Sequence, residues 1–503
     1  MSITHLASSA NSWKAQNAAS SIALGERKQL AIQAVARTST ISELASGADT
    51  SRKFIYAQKR KAEKALNEAF SENKSSKGRL LAHFPLTKQW LDQFILALIL
   101  ICHSSFRNVC EILKDLFGIG ISIGTVHNVV ERAMESAKQK NAEENLTPIR
   151  VGAHDEIFQG RAPVLVGCDA HSTYCYLLSA VTARDADSWG IALLEASEKG
   201  LRPDYTVGDG GQGLRAGQAL AWPDIPCHGD VFHILHDFGK AAIYLENRAY
   251  GAIAVKGDIE RKMERVKKRT QGNKLSRKLG YARTECDQAI TLSDDINTLL
   301  DWLRRDILEF VGPPLPVREE LFDFVVNELR SREEQAPHRI GPIRRKLENQ
   351  KSDLLRFAGL IDQRLSAIAD DYGVDECPVR QVLLLEDPRL SSTQRASLEK
   401  LARTALKHRF YGLQKAVEDV TNEVVRASSV IENLNSRLRN YFFLRKQIGH
   451  SYLDLLRFFL NHRRFMRSEH PERAGKSPKE IMTGKPHPHW LDLLELPSFK
   501  LAA

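Results

Sequence analysis

The 503 residues exceed what one hydrophobic core usually supports, so the length predicts two to four domains. Lys and Arg number 72 against 62 Asp and Glu, and the net charge of +10 suits a polyanionic partner if the cations cluster. The most apolar run, residues 94–101, is far shorter than a bilayer span, and the 7 cysteines form no C-x-x-C pair. This composition excludes a disulfide-rich secreted module and predicts a cytoplasmic protein in a reducing compartment, with no membrane partner.

Residues 26–66 have the pattern of three short helices, of which the third is the longest and strongly basic. Gly47 falls in the short turn before that third helix, which is typical of a helix-turn-helix unit. We expect cations on the third helix to contact DNA phosphates. The predicted contacts are Arg52, Lys53, Lys59, Arg60 and Lys61.

A second three-helix pattern follows a polar segment at 71–78 that is typical of a linker. A buried helix over 86–103 and a second helix over 105–118 precede a polar third helix over 122–139, with Ser122 as its N-cap. Either unit taken alone could be an ordinary helical bundle, but two in succession favour DNA binding. The candidate contacts of the second unit are Thr125, His127 and Asn128.

From residue 149 the hydrophobic pattern changes to that of strands, with one helix before the fourth strand and another before the fifth. Turn-like segments separate the first three strands, which predicts an antiparallel meander, and the helices that follow predict parallel later strands. The predicted strands cover 149–158, 162–170, 173–182, 204–209 and 224–230.

Beyond residue 240 the pattern is almost wholly helical as far as 425. It contains a basic stretch at 261–278 and a proline-rich break at 312–316. Another helical segment, over 426–468, is basic and rich in aromatic residues. The sequence therefore predicts an α/β protein with large all-α portions.

The glycines Gly208, Gly210 and Gly213 satisfy G-x-G-x-x-G, the pattern of a dinucleotide-binding loop. However, three antiparallel strands precede this loop, the following helix is short, and Asp209 would repel a pyrophosphate. The alternative is that Asp209 is the functional residue, at the carboxyl end of a parallel strand. The glycines would then leave room for a ligand at that strand end.

Asp155 lies on the first predicted strand among apolar and β-branched residues. Two carboxylates at neighbouring strand positions repel each other unless a divalent cation lies between them. Two Mg²⁺ ions held by Asp155 and Asp209 would suit an in-line phosphoryl displacement, and Mn²⁺ could replace them. This chemistry calls for a third carboxylate from another element.

Glu432 is the candidate for the third acid. It shares one polar helix face with Asn435, Ser436 and Arg439, at helical spacing. The alternative is a capping box in which Ser429 is the N-cap and Glu432 only satisfies backbone N–H groups. Both interpretations remain open at this point.

Taken together, these segments resemble the DDE transposases of bacterial insertion sequences. The resemblance covers most of residues 26–485 in order, and the second acid lies in "YTVGDGGQGLRAG" (residues 205–217). The first acid matches Asp155 in "HDEIFQGRAPVLVGCDA" (residues 154–170), and the third matches Glu432 in "SSVIENLNSRLRNYFFLRK" (residues 428–446). The 223 residues from Asp209 to Glu432 are similar to members with an all-helical insertion before the third acid, although Glu418 and Glu423 are nearby alternatives.

The resemblance implies an RNase H-like catalytic domain, Mg²⁺-dependent cleavage at transposon ends and strand transfer without a covalent enzyme–DNA intermediate. It implies a nucleoid-associated bacterial protein that acts as a homodimer or larger complex on inverted repeats and target DNA. Further DNA contacts would be Arg437, Arg439, Arg445 and Lys446. The expected domains are helix-turn-helix units at 1–75 and 76–145, catalytic parts at 146–240 and 425–470, the insertion at 241–424 and a tail at 471–503.

Histidines near the second acid have two possible roles. Cys227, His228, His233 and His236 are close in sequence, but their spacing matches no standard zinc site. We therefore expect His228 and His233 to orient the substrate near Asp209 instead. Two other function classes remain open: a catalytically silent, transposase-derived DNA-binding regulator, and a structure-selective RNase H-like nuclease.

Overall fold

The computed structural model describes residues 22–70, 86–444, 449–468 and 470–496. The chain divides into two compact units, Met1–Pro85 and Leu86–Ala503. It is mostly helical, with one small mixed sheet. The predicted linker at 71–78 and the predicted DNA contacts Arg445 and Lys446 lie outside the described residues. Among the described helices, none combines the length and hydropathy that a bilayer span requires.

The first unit contains the three predicted helices. They are α1 (Leu24–Ala36), α2 (Ile41–Gly47) and α3 (Arg52–Phe70). Thr40 and Glu43 form a reciprocal capping box that starts α2. Gly47 ends α2 rather than lying in the turn after it. A small apolar core around Leu44 and Ile55 holds the three helices together.

The second unit begins with three helices and continues into the sheet. The helices are α4 (Lys88–Leu100), α5 (Phe106–Phe117) and α6 (Ile123–Ala142). Ser122 is the N-cap of α6, as predicted, because its hydroxyl accepts a hydrogen bond from the Thr125 amide. The elements that follow are β1 (Val151–Gln159), β2 (Ala162–Asp169), β3 (Cys175–Ala180), α7 (Ala186–Glu198), β4 (Tyr205–Gly208), α8 (Gln212–Ala221) and β5 (Cys227–Gly229).

The five strands lie in the order β3-β2-β1-β4-β5. The first three form an antiparallel meander, whereas β4 is parallel to both β1 and β5, as the sequence predicted. In the register of β1 with β4, His154 lies opposite Gly208. The pairing of β1 with β4 ends at this pair, and the next residues along the chain are Asp155, within β1, and Asp209, directly after β4.

After the sheet the chain is helical as far as residue 423, which confirms the all-α character predicted there. The first two of these helices have 34 residues each. The helices are α9 (Val231–Glu264), α10 (Arg269–Trp302), α11 (Leu315–Arg332), α12 (Pro337–Tyr372), α13 (Glu376–Leu384), α14 (Ser392–Leu406) and α15 (Phe410–Glu423). They share one apolar core that includes Phe322, Phe357 and Phe410.

The last part of the chain returns to the sheet. It contains α16 (Ser429–Leu444), α17 (His450–His462), α18 (Pro478–Thr483) and α19 (Trp490–Leu493). Ile431 of α16 and Leu456 of α17 are in one apolar core with Ile95 of α4 and Val166 of β2. Burial of each such side chain stabilises the fold by about 1.5–3 kcal/mol. This core fixes the helix that carries Glu432 against the central strands.

Glu480 at the start of α18 is the centre of a buried polar network. Its carboxylate accepts hydrogen bonds from Arg464 (2.6 Å and 3.1 Å) and from the backbone amides of Ser477 (2.9 Å) and His487 (3.3 Å). Burial acts to raise the pKa of Glu480, but these hydrogen bonds outweigh it and lower the pKa to about 2. The ionised carboxylate therefore stabilises the fold above its unfolded pKa.

We predict that Glu480→Gln destabilises the protein by about 1.5–3 kcal/mol at pH 7, because a charged acceptor of several hydrogen bonds is lost. The difference should shrink as the pH falls from about 5 towards 2, where wild-type Glu480 becomes protonated. Thermal melts across this pH range measure it. Glu472→Gln is the control, because exposed Glu472 lies 3.5 Å from His470 and makes only a surface ion pair. A stability difference that does not change with pH would contradict the assignment.

Candidate active site

Asp155 lies in the middle of β1 and is buried, with 8% of its surface exposed. Its Oδ1 accepts a hydrogen bond from the Glu156 amide (2.8 Å), and its Oδ2 accepts one from Asn435 Nδ2 (2.6 Å). Burial, with the charges of Asp209 and Glu432, outweighs the Glu156 hydrogen bond and the His233 charge and raises the pKa of Asp155 to about 6. A buried carboxyl group with a raised pKa is typical of a functional site.

Asp209 directly follows β4, next to Asp155 on the parallel neighbouring strand. Neighbouring strands are about 4.8 Å apart, so the two carboxylates start from adjacent backbone positions. The Oδ1 of Asp209 accepts a hydrogen bond from the Gly211 amide (2.9 Å), which fixes the turn after the strand. The sequence placed both acids at strand positions, and the structure shows that the two strands are neighbours.

The glycines around Asp209 lie where neighbouring protein leaves no room for a side chain. A Cβ on Gly213 would overlap the backbone carbonyl of Arg184, and one on Gly208 would lie 2.7 Å from the Leu214 side chain. Gly210 faces the side chain of Gln350 from helix α12. A side chain at any of these three positions would therefore collide with neighbouring protein atoms.

Glu432 is in the first turn of α16, with its side chain 24% exposed. Its Oε1 lies 3.4 Å from His233 Nε2, and its Oε2 lies 3.8 Å from an Arg439 guanidinium nitrogen. Ser429 is the first residue of the helix, and the Glu432 amide bonds to the Ser428 carbonyl (3.1 Å). The carboxylate thus faces His233 and Arg439, which disfavours the capping-box interpretation.

The two other acids considered for the third position lie elsewhere. Glu418 is exposed on α15. Glu423, at the end of the same helix, is also exposed and lies 3.8 Å from Arg364. Of these three glutamates, only Glu432 joins Asp155 in the cluster of potential metal ligands that the described residues contain.

His233 bridges two acids near the start of α9. Its Nδ1 hydrogen bonds to Asp230, and its Nε2 faces Glu432. The hydrogen bond to Asp230, with the charges of Asp155 and Asp209, outweighs burial and raises the pKa of His233 to about 9. At neutral pH the side chain is therefore an imidazolium that can donate a hydrogen bond to an anionic group.

Asp230 is a site residue that the sequence analysis did not identify. It is buried, and its Oδ1 accepts hydrogen bonds from the amides of Phe232 (2.9 Å) and Ser428 (3.0 Å). Its Oδ2 accepts hydrogen bonds from His233 and the Ser428 hydroxyl. Burial opposes ionisation, but these hydrogen bonds lower the pKa of Asp230. Asp230 thereby joins the start of α9 to the residue that precedes α16.

The cluster has the donor chemistry of a divalent cation site. Atoms of Asp155, His233 and Glu432 that could bind a cation all lie within 4.8 Å of one another, and His233 could do so only after losing a ring proton. The Oδ1 of Asn435 is a further buried oxygen with no hydrogen-bond partner among the described residues. Carboxylate and amide oxygens are suitable ligands for hard cations such as Mg²⁺. Asp209 is outside this group, but its charge helps to raise the pKa of both Asp155 and His233.

Asn435 is the second residue whose role the sequence analysis missed. It was placed on the polar face of α16 with Glu432, but the structure buries it (1% exposed) against Asp155. The spacing of three residues from Glu432 was the available signal, because residues i and i+3 share a helix face. Asn435 therefore holds the Asp155 carboxylate in place through this hydrogen bond.

We predict that Asn435→Ala lowers the affinity for Mn²⁺ by about 10–100-fold, the usual cost of losing a residue that orients a metal ligand. The Mn²⁺ concentration for half-maximal binding should rise, as measured by electron paramagnetic resonance of the free ion. A purely structural role would not move that metal dependence. Ser436→Ala is the matched control on the exposed side of the same helix. Equal metal dependence in the two variants would rule out the positioning role.

His228 does not join the cluster, contrary to the expectation that it orients substrate. Its ring stacks on Tyr205 with centroids 4.2 Å apart, and it is buried. Burial, with the charges of Arg356 and Arg215, lowers the pKa of His228 to about 4, so the ring is neutral. It is a packing residue of the sheet. His236 stacks on Phe232 and is likewise not part of the cluster of potential ligands.

The predicted DNA contacts differ in accessibility. Most are exposed; Lys59 is half-buried and lies 3.6 Å from Glu63. The exposed ones are Arg52, Lys53, Arg60, Lys61, Thr125, His127, Asn128 and Arg439. Arg437 is half-buried, and burial with the charge of Arg463 lowers its pKa. It lines a pocket of about 440 Å³ together with Arg467 and Arg473.

Comparisons with known proteins add little to this geometry. No protein-family model matches the chain, and no curated protein matches it. Among solved structures, the chain is similar to the Drosophila P element transposase strand transfer complex, with a TM-score of 0.31 and 11% sequence identity. That match covers 78% of this chain and 99% of that chain. A TM-score of this size does not establish a shared fold, so a functional conclusion must come from the site itself.

Proposed function

We propose that this protein is a DDE-type DNA transposase, a metal-dependent enzyme that cuts DNA at transposon ends and joins the freed 3′ end to target DNA. The observation that carries the proposal is the arrangement of the acids. Asp155 lies on β1, and Asp209 directly follows the neighbouring parallel strand β4. Glu432 on α16 joins Asp155 in one cluster. The raised pKa of buried Asp155 supports a functional rather than a structural role.

The sheet supports an RNase H-like catalytic domain. Three antiparallel strands are followed by two parallel strands, with the first acid on the central strand and the second on its parallel neighbour. The helices α9 to α15 separate this sheet from the third acid, as expected for an insertion over 241–424. The proposed domains keep the predicted boundaries, with the two catalytic parts at 146–240 and 425–470.

Asp155, Asp209 and Glu432 would hold two divalent cations, Mg²⁺ or Mn²⁺, which supply stabilisation of the attacking and leaving oxygens in an in-line displacement. The side chains around them have distinct tasks. His233, fixed by Asp230 and facing Glu432, can donate a hydrogen bond from Nε2 to a phosphate oxygen. Asn435 holds Asp155 in position, and Arg439 adds positive charge 3.8 Å from Glu432.

The DNA-binding residues belong to three surfaces. The exposed cations of α3 and the polar start of α6 would contact transposon-end inverted repeats. Arg437 and its neighbours in the 440 Å³ pocket would bind phosphates along another face of α16. Arg445 and Lys446 remain proposed contacts from the sequence. We also propose that the enzyme acts as a homodimer or larger complex on paired ends.

The experiment that tests this function uses intact and pre-cut duplexes made from the DNA that flanks the coding sequence, with Mg²⁺ and a target plasmid. The proposal predicts cleavage of the intact duplex and joining of the pre-cut end to the plasmid. Hydrolysis without joining would instead support a structure-selective nuclease. Binding without either reaction would support a DNA-binding regulator.

A further inference from the structure

Helices α9 and α10 form a long hairpin whose far end does not belong to the apolar core. The last buried residue of α9 is Ala249, and the first buried residue of α10 is Leu279. None of residues 250–278 is buried. Near the base, Arg248 of α9 donates hydrogen bonds to Glu285 of α10 (3.1 Å) and to the Gln335 carbonyl outside the hairpin (3.2 Å). Residues 250–278 are therefore a two-helix arm that packs mainly on itself.

The end of this arm carries a dense positive charge. Residues 261–278 include one acid, Glu264, and a large excess of cations. Arg261 pairs with Asp258, but the others make no ion pair within the described chain. These unpaired cations are Lys262, Arg265, Lys267, Lys268, Arg269, Lys274, Arg277 and Lys278. So many like charges at the end of the arm repel one another, and binding of an anionic partner would relieve this repulsion.

The surface chemistry of the arm end fits the backbone of duplex DNA. Lys274, Arg277 and Lys278 lie at i, i+3 and i+4, so they share one face of α10 and follow its axis. Such a row can contact successive phosphates along a strand. Met263, Val266 and Leu275 at the arm end are half-buried, whereas the exposed apolar residues of the arm, Tyr250, Ile253 and Val255, lie nearer its base. The charged end itself therefore lacks the exposed apolar face that inserts into a membrane surface.

The length of α9 sets how far from the acids this contact can lie. Arg265 follows His233 by 32 residues, and a helix rises 1.5 Å per residue, which gives about 48 Å. Duplex DNA rises 3.4 Å per base pair, so 48 Å corresponds to about 14 base pairs. We propose that the arm is a second DNA-binding surface that holds the duplex backbone up to about 14 base pairs from the cut.

This inference rests on the proposed function for the position of the cut, but the test separates the two. The full-length wild type is compared with Lys268→Gln/Lys274→Gln/Lys278→Gln on a 40-base-pair duplex from the flanking DNA. Lys400→Gln/Lys407→Gln/Lys415→Gln is the matched control, because these lysines are also exposed, lie in the helical region and make no ion pair within the described chain. Binding is measured against salt concentration, and hydroxyl-radical footprints are recorded relative to the cleavage position.

The arm variant should lower the slope of log K against log salt by up to about 2.7, because each lost phosphate contact contributes about 0.9. Its footprint should lose protection away from the cut, and the control should match the wild type. An unchanged slope in the arm variant, or protection lost next to the cut, would overturn the inference. Binding of the arm to anionic phosphatidylserine vesicles without binding to the duplex would also overturn the inference. If the slope falls while the wild type cuts no DNA, the proposed function fails and the arm remains a DNA-binding surface.

Discussion

Replacing Asp209 with asparagine is expected to lower metal-dependent strand cleavage by about 10³-fold or more, because one charge that stabilises the transition state is lost. The substitution should leave the fold intact. The amide oxygen of asparagine can still accept the hydrogen bond from Gly211 that fixes the turn. Single-turnover cleavage of a flanking-DNA duplex measures the rate, and fluorescence anisotropy measures the Kd for the same duplex.

The matched control is Asp187→Asn, which removes an exposed carboxylate at the start of α7. It should cut at the wild-type rate. An Asp209→Asn variant that cuts as fast as this control would show that the strand-end carboxylate is not catalytic. A variant that loses DNA binding as well as cleavage would show that Asp209 acts in binding instead.

Asp155→Asn is expected to inactivate the enzyme and, at the same time, to stabilise its fold. Wild-type Asp155 is buried with a pKa of about 6, so its ionised form is disfavoured in the folded state. The difference from the ordinary pKa of 3.8 corresponds to at most about 3 kcal/mol. Asparagine carries no charge, and Asn435 can turn its amide so that its unpartnered Oδ1 accepts from the new side chain.

The pH dependence of this stability gain follows from the direction of the shift. Because the folded-state pKa of Asp155 is raised, the wild type loses stability as the pH rises from about 4 to about 6. The Asp155→Asn variant does not lose this stability. The difference in unfolding free energy between variant and wild type should therefore be near zero at pH 4 and constant above pH 7. Thermal melts in EDTA measure it, with Asp187→Asn as the control. An Asp155→Asn protein that is less stable than the wild type at pH 8 would contradict this account of the buried charge.

Local pattern was enough to find the strands, most helices and two acids at strand positions. Apolar and β-branched neighbours placed Asp155 on the first strand, and Asp209 was placed at the carboxyl end of a parallel strand, but only the structure shows that β1 and β4 pair. Helical spacing put Glu432 and Asn435 on one face of α16. These features depend on contacts between residues that are close in sequence or on simple rules of strand connection.

Contacts across long stretches of chain could not be predicted in the same way. Asp230 bonds to Ser428, which is 198 residues away, and no local pattern indicates that pair. Gly213 is required by the carbonyl of Arg184, and Gly210 faces Gln350, so their roles depend on tertiary packing. His228 was expected near Asp209 because it is close in sequence, but it stacks on Tyr205 instead.

The central claim is that Asp155, Asp209 and Glu432 act together as one divalent cation centre. Mn²⁺ binding tests it most directly, with the free ion counted by electron paramagnetic resonance in the presence of duplex DNA. The wild type and Asp187→Asn should each bind two ions per chain. Asp155→Asn, Asp209→Asn and Glu432→Gln should each bind fewer or bind more weakly. A wild type that binds no Mn²⁺, or three acid variants that bind it as the wild type does, would contradict the claim.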